Sequence, residues 1–202
     1  NPSETADGID NDKNGFVDDV HGWNFFDNNG DVRPVLVEKS TRIGVNHGTV
    51  VAGIIGATGN NELGTAGVNW NVQIMPLKIL DSRGDGDSDL AVKAIDYAIQ
   101  KRVDIINLSF VGEVPSLNFI QAIRRAYRAG ILVVAAAGNA SDAARGVNLN
   151  VLPRYPVCFD DPLKEENWVL GVAALSDSGQ LSAFSNYGDK CIDLSAPGSH
   201  IS

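Results

Sequence analysis

Short apolar runs that are rich in β-branched residues alternate along this chain with segments of helical periodicity. The runs lie at 72–80, 103–108, 131–136 and 168–172. Runs of this length and composition are typical of parallel strands that are buried on both faces. Because parallel strands need crossover connections, which are usually helices, the alternation predicts an α/β fold. We expect a mostly parallel sheet with helices on both of its faces.

Two of the intervening segments place apolar residues at helical spacing. The first apolar stripe runs from Leu90 to Ile99 and the second from Phe119 to Tyr127, and charged residues lie outside both stripes. Gly130 follows the second stripe, at the position where glycine commonly ends a helix. The sequence therefore predicts two amphipathic helices between the strands.

The composition is that of a single globular domain. The 202 residues are 44% hydrophobic and carry a formal net charge of −9. The negative charge and the lack of a Lys/Arg cluster argue against a nucleic-acid partner, and no apolar run approaches the roughly 20 residues of a membrane span. No phosphate-cradling glycine loop follows a strand, which argues against a nucleotide-binding domain. We assign 1–202 to one domain, with an acidic loop region at 1–45 and an α/β core at 46–202.

The segment 10–19 alternates oxygen-bearing side chains in the manner of the opening of an EF-hand calcium loop. Gly15 occupies the sixth position, where the loop turns sharply. His21 stands at the twelfth position instead of a bidentate Glu, so we predict a calcium loop of similar local geometry, completed by another carboxylate such as Asp19. A solvated turn rich in Asn and Asp is the alternative. The predicted Ca²⁺ ligands are Asp10, Asp12, Asn14, the carbonyl of Phe16, and Asp18.

Two polar residues adjoin apolar segments. His47 begins the segment 47–56, whose small apolar residues predict a closely packed, buried helix, and Asn139 follows Gly138 after the apolar run 131–136. On these residues alone a satisfied structural histidine and an ordinary Gly-Asn turn remain open for the two positions.

Several short motifs, taken in order, decide between these readings, because an ordered set is far more specific than any single motif. Seven segments carry these motifs and follow one another along nearly the whole chain: 46–53, 106–109, 135–139, 155–156, 169–173, 184–188 and 193–198. In this order they resemble the histidine motif, the substrate-binding strand, the oxyanion-asparagine segment and four further segments of the subtilisin family of serine endopeptidases.

The resemblance implies a subtilisin-like three-layer α/β fold and a Ser-His-Asp triad in which His47 is the general base. It implies that Asn139 donates a hydrogen bond to the oxyanion of the tetrahedral intermediate. Asp7 to Asp10 partly mimics the motif of the triad aspartate but follows no buried strand. We therefore expect this sequence to be the central part of a catalytic domain, inactive without the segments that carry the Asp and the Ser. A catalytically inactive pseudoprotease or a calcium-stabilised binding module is the alternative.

The resemblance also implies an extended polypeptide as substrate and allows an inhibitory propeptide as a second partner. The sequence departs from the family pattern at Val50, which replaces a second histidine, and at Val111, which adds a branched side chain beside the pocket. The implied substrate-binding residues are Gly84, Gly86, Leu108, Ser109, Phe110, Ala136, Ala137 and Gly138.

Cys158 and Cys191 are the two cysteines of the chain and lack metal-ligand spacing. On spacing alone they are either one pair or two free thiols. The family fold brings their two segments close together, so the resemblance implies a disulfide. The resemblance also implies secretion or a place in the secretory pathway, a setting that suits both a disulfide and a calcium site of moderate affinity.

Overall fold

The computed structural model describes residues 1–35, 46–140, 145–161 and 165–201. The chain divides into two compact units, Asn1–Leu90 and Ala91–Ser202, and the predicted acidic region lies within the first unit. Parallel sheets and helices confirm the predicted α/β class. Within the described ranges, no helix has the length and apolarity required to cross a membrane.

The first unit contains a two-stranded parallel sheet made of β1 (Trp23–Asn24) and β2 (Leu77–Lys78). The predicted strand at 72–80 is thus shortened to two residues. The partner strand offers only two residues for pairing, and the side chains of Val72 and Ile74 lie instead beside Gly56.

Helix α1 (His47–Gly56) begins at His47, as the sequence predicts. The amides of Val68 and Asn69 donate to the carbonyls of Ile54 and Ile55, at 2.9 Å each, and these bonds attach the end of the helix to the following loop. The expected burial of the helix is wrong. None of its residues is buried, because the described loop contacts reach only its C-terminal end.

The second unit is built on a four-stranded sheet in the order β3-β4-β5-β6, and every neighbouring pair is parallel. Helix α2 precedes β3, and helix α3 connects β3 to β4. These elements confirm the predicted strands at 103–108, 131–136 and 168–172 and both predicted helices. Their bounds are α2 Ser88–Gln100, β3 Ile105–Leu108, α3 Leu117–Arg128, β4 Leu132–Ala136, β5 Leu170–Leu175 and β6 Leu194–Pro197.

One face of this sheet forms the core of the second unit. Val133 and Ala135 of β4 are buried, and so are Ala122, Ile123 and Ala126 of helix α3, which packs on β4. Burial alternates along β4 because successive strand residues point to opposite faces. The apolar stripe of α3 and one face of the sheet therefore exclude water together.

Local sequence fixes both ends of helix α3. The Ser116 hydroxyl accepts a hydrogen bond from the Phe119 amide at 3.3 Å, as an N-cap residue does. At the other end Gly130 adopts a φ of +79°, a left-handed conformation that glycine reaches without a steric penalty. The Gly130 prediction is confirmed, and the turn leads directly into β4.

A disulfide joins Cys158 to Cys191 with a Cα–Cα distance of 4.7 Å, which confirms the predicted pairing. The bridge lies next to β5. A Cβ atom added to Gly171 of β5 would collide with the carbonyl oxygen of Cys191, so this strand and the bridged loop are packed backbone to backbone.

Replacing both cysteines with alanine should lower the free energy of unfolding by about 3–4 kcal/mol in the chain-entropy model, because the bridge spans 33 residues. Denaturant unfolding of the wild type and the double variant measures the difference, and reductant should not destabilise the double variant further. Intact mass of the unreduced protein after alkylation is the direct check. Two alkylated cysteines would contradict the bridge.

Candidate functional site

Strands β3 and β4 end at the same edge of the sheet. Leu108 pairs with Ala135 in the parallel register, so the segments that follow the two strands leave the sheet beside each other. The carboxyl edge of a parallel sheet is where α/β proteins usually bind ligands. This edge brings together the predicted residues 108–110 and 136–139.

The segment after β3 is held at both of its ends. The Phe110 ring stacks on the ring of Phe119, with a centroid distance of 6.2 Å and an interplanar angle of 17°. Gly112 exchanges two backbone hydrogen bonds with Tyr155, at 2.7 and 2.9 Å. Because both flanking residues are fixed, the side chain of Val111 has a defined position between them.

That position is against Gly138, in the segment after β4. Gly138 has a φ of +81°, and a Cβ atom added to it would lie 2.7 Å from a methyl carbon of Val111 and 3.0 Å from the amide nitrogen of Asn186. The site therefore requires glycine for both conformation and space. Val111, the departure noted in the sequence, contacts the predicted pocket segment directly.

Asn139 follows Gly138, and its side chain is exposed. Its backbone forms an antiparallel bridge with Ser185, and the next amide, of Ala140, donates to the carbonyl of Phe184 at 2.8 Å. Among the described residues, the carboxamide of Asn139 has no hydrogen-bond partner. The backbone is thus anchored while the side chain is exposed.

His47 lies in the first unit, as the first residue of α1, and its side chain is exposed. The Asn46 side chain makes no capping hydrogen bond to the helix. The first turn of α1 is therefore held through the backbone, with the Val50 amide donating to the Asn46 carbonyl at 2.9 Å.

Gly84 and Gly86, the other predicted substrate contacts of the first unit, belong to a tight turn. Leu80 pairs with Gly86 in an antiparallel bridge, and Gly84 adopts a φ of +89°. The backbone amides of Asp85 and Arg83, followed by the Arg83 guanidinium, lower the pKa of the Asp81 carboxyl below its ordinary value. These contacts define the shape of the turn.

Three carboxylates in the first unit form a cluster. One oxygen from each of Glu4, Asp12 and Asp19 lies within 4.8 Å of the others, and Glu4 and Asp19 are buried. The side-chain amide of Asn1 donates to the Asp12 carboxylate, at 3.0 Å, and to the Asp19 carboxylate. The side-chain amide of Asn14 donates to the Asp19 carboxylate at 2.8 Å. Carboxylate oxygens are the type of ligand that hard divalent cations such as Ca²⁺ prefer.

The other predicted metal ligands lie around this cluster in different roles. The Asp10 carboxylate accepts hydrogen bonds from the Asn14 and Gly15 amides at 3.0 and 2.8 Å, and the Asp18 carboxylate accepts from the amides of residues 7 and 8. The Phe16 ring packs against Trp23, with centroids 5.0 Å apart. The sequence prediction did not include Glu4, since no spacing rule relates it to the loop.

The chain matches known proteins over most of its length. The family model described as the subtilase family matches residues 7–202. Thermitase of Thermoactinomyces vulgaris is 34% identical over 90% of this chain and 56% of its own length, and Subtilisin-like protease 1 of Plasmodium berghei (strain Anka) is 36% identical over 96% and 32%. The crystal structure of a cold adapted subtilisin-like serine proteinase superposes with a TM-score of 0.66 at 28% identity, covering 89% of this chain and 55% of that one.

The chain thus spans between a third and little more than half of the length of these relatives. The names of two further relatives describe one protease as extracellular and another as intracellular.

Gly138→Ala should lower the free energy of unfolding by roughly 1–3 kcal/mol, since alanine is strained at this φ and its Cβ atom must displace Val111. Gly112→Ala is the matched control in the neighbouring segment, where an added Cβ atom meets nothing closer than the Tyr155 oxygen at 4.0 Å. The control should stay within about 0.5 kcal/mol of the wild type. Equal denaturant midpoints for all three proteins would contradict the tight contact at Gly138.

Proposed function

The chain belongs to the subtilase family, and we propose that it forms part of a serine endopeptidase catalytic domain, to which it contributes His47 and Asn139. The observation that carries the proposal is the arrangement at the sheet edge. Asn139 has an anchored backbone and an exposed carboxamide, and it lies beside the segment that follows β3. A hydrogen-bond donor fixed in this way is suited to stabilise a developing negative charge.

The proposed reaction is hydrolysis of a peptide bond through an acyl-enzyme. The His47 imidazole accepts the proton of a serine hydroxyl, which the full-length protein supplies, as the serine oxygen attacks the scissile carbonyl. The imidazolium then donates that proton to the leaving amine, which leaves the acyl group on the serine. Water, which gives a proton to the same imidazole as it attacks, then releases the acyl group as a carboxylic acid, and the imidazolium returns the proton to the serine. An aspartate, also supplied by the full-length protein, orients the imidazole and stabilises its charged form.

Asn139 acts on the oxyanion of the tetrahedral intermediate. Its side-chain amide donates a hydrogen bond to the oxygen that becomes negative, and this donor is in place before the reaction starts. Because the bond strengthens as charge develops, it lowers the barrier more than it stabilises bound substrate.

We propose an extended polypeptide as the substrate. In the second unit it pairs through its backbone with the segment Leu108–Phe110, a mode that tolerates many sequences. The resemblance assigns backbone pairing also to the turn of the first unit that carries Gly84 and Gly86. Residues 136–138 form one wall of the pocket beside the scissile bond. The methyl groups of Val111 contact Gly138 and reduce the space there. An inhibitory propeptide would occupy the same edges as an extended segment.

We also propose that Ca²⁺ stabilises the acidic region. Three carboxylates within 4.8 Å, two of them on buried residues, would repel one another if ionised without a cation, and their oxygens match the ligand preference of calcium. Glu4, Asp12 and Asp19 are the proposed central ligands. Asp12 also belongs to the set predicted from sequence, whose other members are Asp10, Asn14, Phe16 and Asp18, and Asp19 is the carboxylate expected to complete that loop.

The disulfide supports a place outside the reducing cytosol, because disulfides persist mainly in oxidising compartments. We therefore propose that the full-length protein is secreted or enters the secretory pathway.

In the full-length protein, His47→Ala should reduce kcat by several orders of magnitude, since loss of a triad member leaves only residual catalysis. Asn139→Ala should reduce kcat by about 10²–10³ with KM little changed, because the lost bond acts on the transition state. Steady-state kinetics on a peptide substrate measure both effects. His200→Ala is the control, since this exposed histidine pairs with Asp177 in a separate loop. Undiminished kcat in either site variant, or no hydrolysis by the wild type, would reject the proposal and favour a binding module.

Millimolar Ca²⁺ should raise the melting temperature of the full-length protein over that measured with chelator, since a ligand of the folded state stabilises it. Glu4→Gln and Asp12→Asn should each diminish the shift, and the exposed control Glu62→Gln should retain it. Asp18→Asn separates the two ligand sets: loss of the shift in this variant and not in Glu4→Gln would favour the sequence-derived set. No shift in the wild type would exclude a stabilising calcium site.

A further inference from the structure

Asn186 is a buried polar residue packed against the segment that leads to Asn139. Its side chain is 1% exposed and forms two hydrogen bonds. The carboxamide nitrogen donates to the carbonyl of Ala137 at 2.9 Å, and the carboxamide oxygen accepts from the amide of Val147 at 2.8 Å. Its own backbone amide donates to the carbonyl of Gly138 at 3.0 Å. The two carbonyl groups that precede Asn139 are therefore both bonded to one residue.

These bonds matter because of the residue between them. Glycine has the greatest backbone freedom of any residue, so Gly138 alone cannot set the direction of the chain. The observed φ of +81° is one of several conformations open to it. The bonds to the Ala137 and Gly138 carbonyls fix the peptide planes on both sides of Gly138. The direction in which Asn139 leaves the sheet follows from those planes.

Asn186 is itself firmly held. The neighbouring Ser185 is 1% exposed, and its hydroxyl accepts from the Ala174 amide of β5 and donates to the Asn186 carbonyl, both at 3.0 Å. Ser185 also forms the backbone bridge to Asn139. A buried carboxamide is unfavourable unless its donor and acceptor are both satisfied, and here both are. Strand β5 thus provides a rigid base for the contacts to residues 137–139.

We propose that Asn186 is a positioning residue for Asn139: its buried carboxamide, fixed through Ser185 to β5, sets the Gly138 peptide so that the Asn139 amide points to the oxyanion. The inference rests on the proposed role of Asn139 in peptide hydrolysis. When the hydrogen bond from Asn186 to the Ala137 carbonyl is lost, the peptide that joins Ala137 to Gly138 can rotate. The side-chain amide of Asn139 is then displaced from the oxyanion. Catalysis is sensitive to such displacement, since about 1 Å of misplacement can cost roughly 10²-fold in rate.

A double-mutant cycle in the full-length protein tests the proposal. Asn186→Ser removes the carboxamide in the wild-type background and in the Asn139→Ala background, with kcat and KM measured on one peptide substrate. We expect a loss in kcat of about 10- to 100-fold in the first background, with KM within about twofold. In the second background the loss should fall below about threefold, because no amide remains to be positioned.

Asn150→Ser is the matched control. Like Asn186, Asn150 links the segment 147–150 to the segment 186–190: its side chain donates to the Asp189 carboxylate at 2.6 Å and accepts from the Lys190 amide at 3.1 Å. It makes no hydrogen bond to residues 137–139. Its kcat should equal that of the parent in both backgrounds. If Asn186→Ser does not fold, as judged by circular dichroism, Asn186→Asp replaces it, since aspartate retains the acceptor for Val147 and lacks the donor to Ala137.

The outcomes are distinct. An unchanged kcat for the Asn186 variant, or equal losses in both backgrounds, would overturn the positioning role while leaving the role of Asn139 intact. Failure of both Asn186 variants to fold would also overturn it, since Asn186 would then serve the fold as a whole. A wild-type kcat for Asn139→Ala alone would instead reject the proposed oxyanion role, and the inference with it.

Discussion

The parallel register of β3, β4, β5 and β6 is the constraint on which the second unit depends. Leu108 pairs with Ala135 and Ala135 with Gly171, so all strands run in one direction and end at one edge. Each crossover must then return along the sheet, and α3 does so while it buries its apolar stripe on β4. Because neighbouring strands are parallel and end at the same edge, the loops that follow them leave the sheet side by side.

Around Asn139, packing and polar bonding act on the same few backbone atoms. Val111 and Asn186 approach Gly138 so closely that a Cβ atom would meet both. The contact with Val111 limits the space around the glycine, while the Asn186 carboxamide satisfies the carbonyl of the buried Ala137. The result is an exposed amide on a backbone that is held from several sides. These contacts fix the backbone of Asn139 and not its exposed side chain.

The acidic region is held together by polar side-chain contacts. Its turns are held by side-chain oxygens that accept backbone amides, as Asp10 and Asp18 do. Glu4, Asp12 and Asp19 are brought together at its centre, where Glu4 and Asp19 are buried. If ionised, carboxylates at this spacing would repel one another, and a bound cation would offset the repulsion. The free energy of unfolding of this region would then depend on the cation concentration, whereas that of the sheet depends on apolar burial.

The sequence by itself determined the α/β class, the positions of helices α2 and α3 and of β3 to β5, the start of α1 at His47, and the family. Periodicity, capping residues and short ordered motifs are local, and local chemistry suffices for them. The resemblance also anticipated the bridge between Cys158 and Cys191. Only the tertiary structure reduced the run at 72–80 to a two-residue strand, left α1 without buried residues, and brought Glu4 to Asp12 and Asn186 to Ala137. Those outcomes depend on contacts between groups that are distant in the sequence, and the spacing of residues along the chain does not specify such contacts.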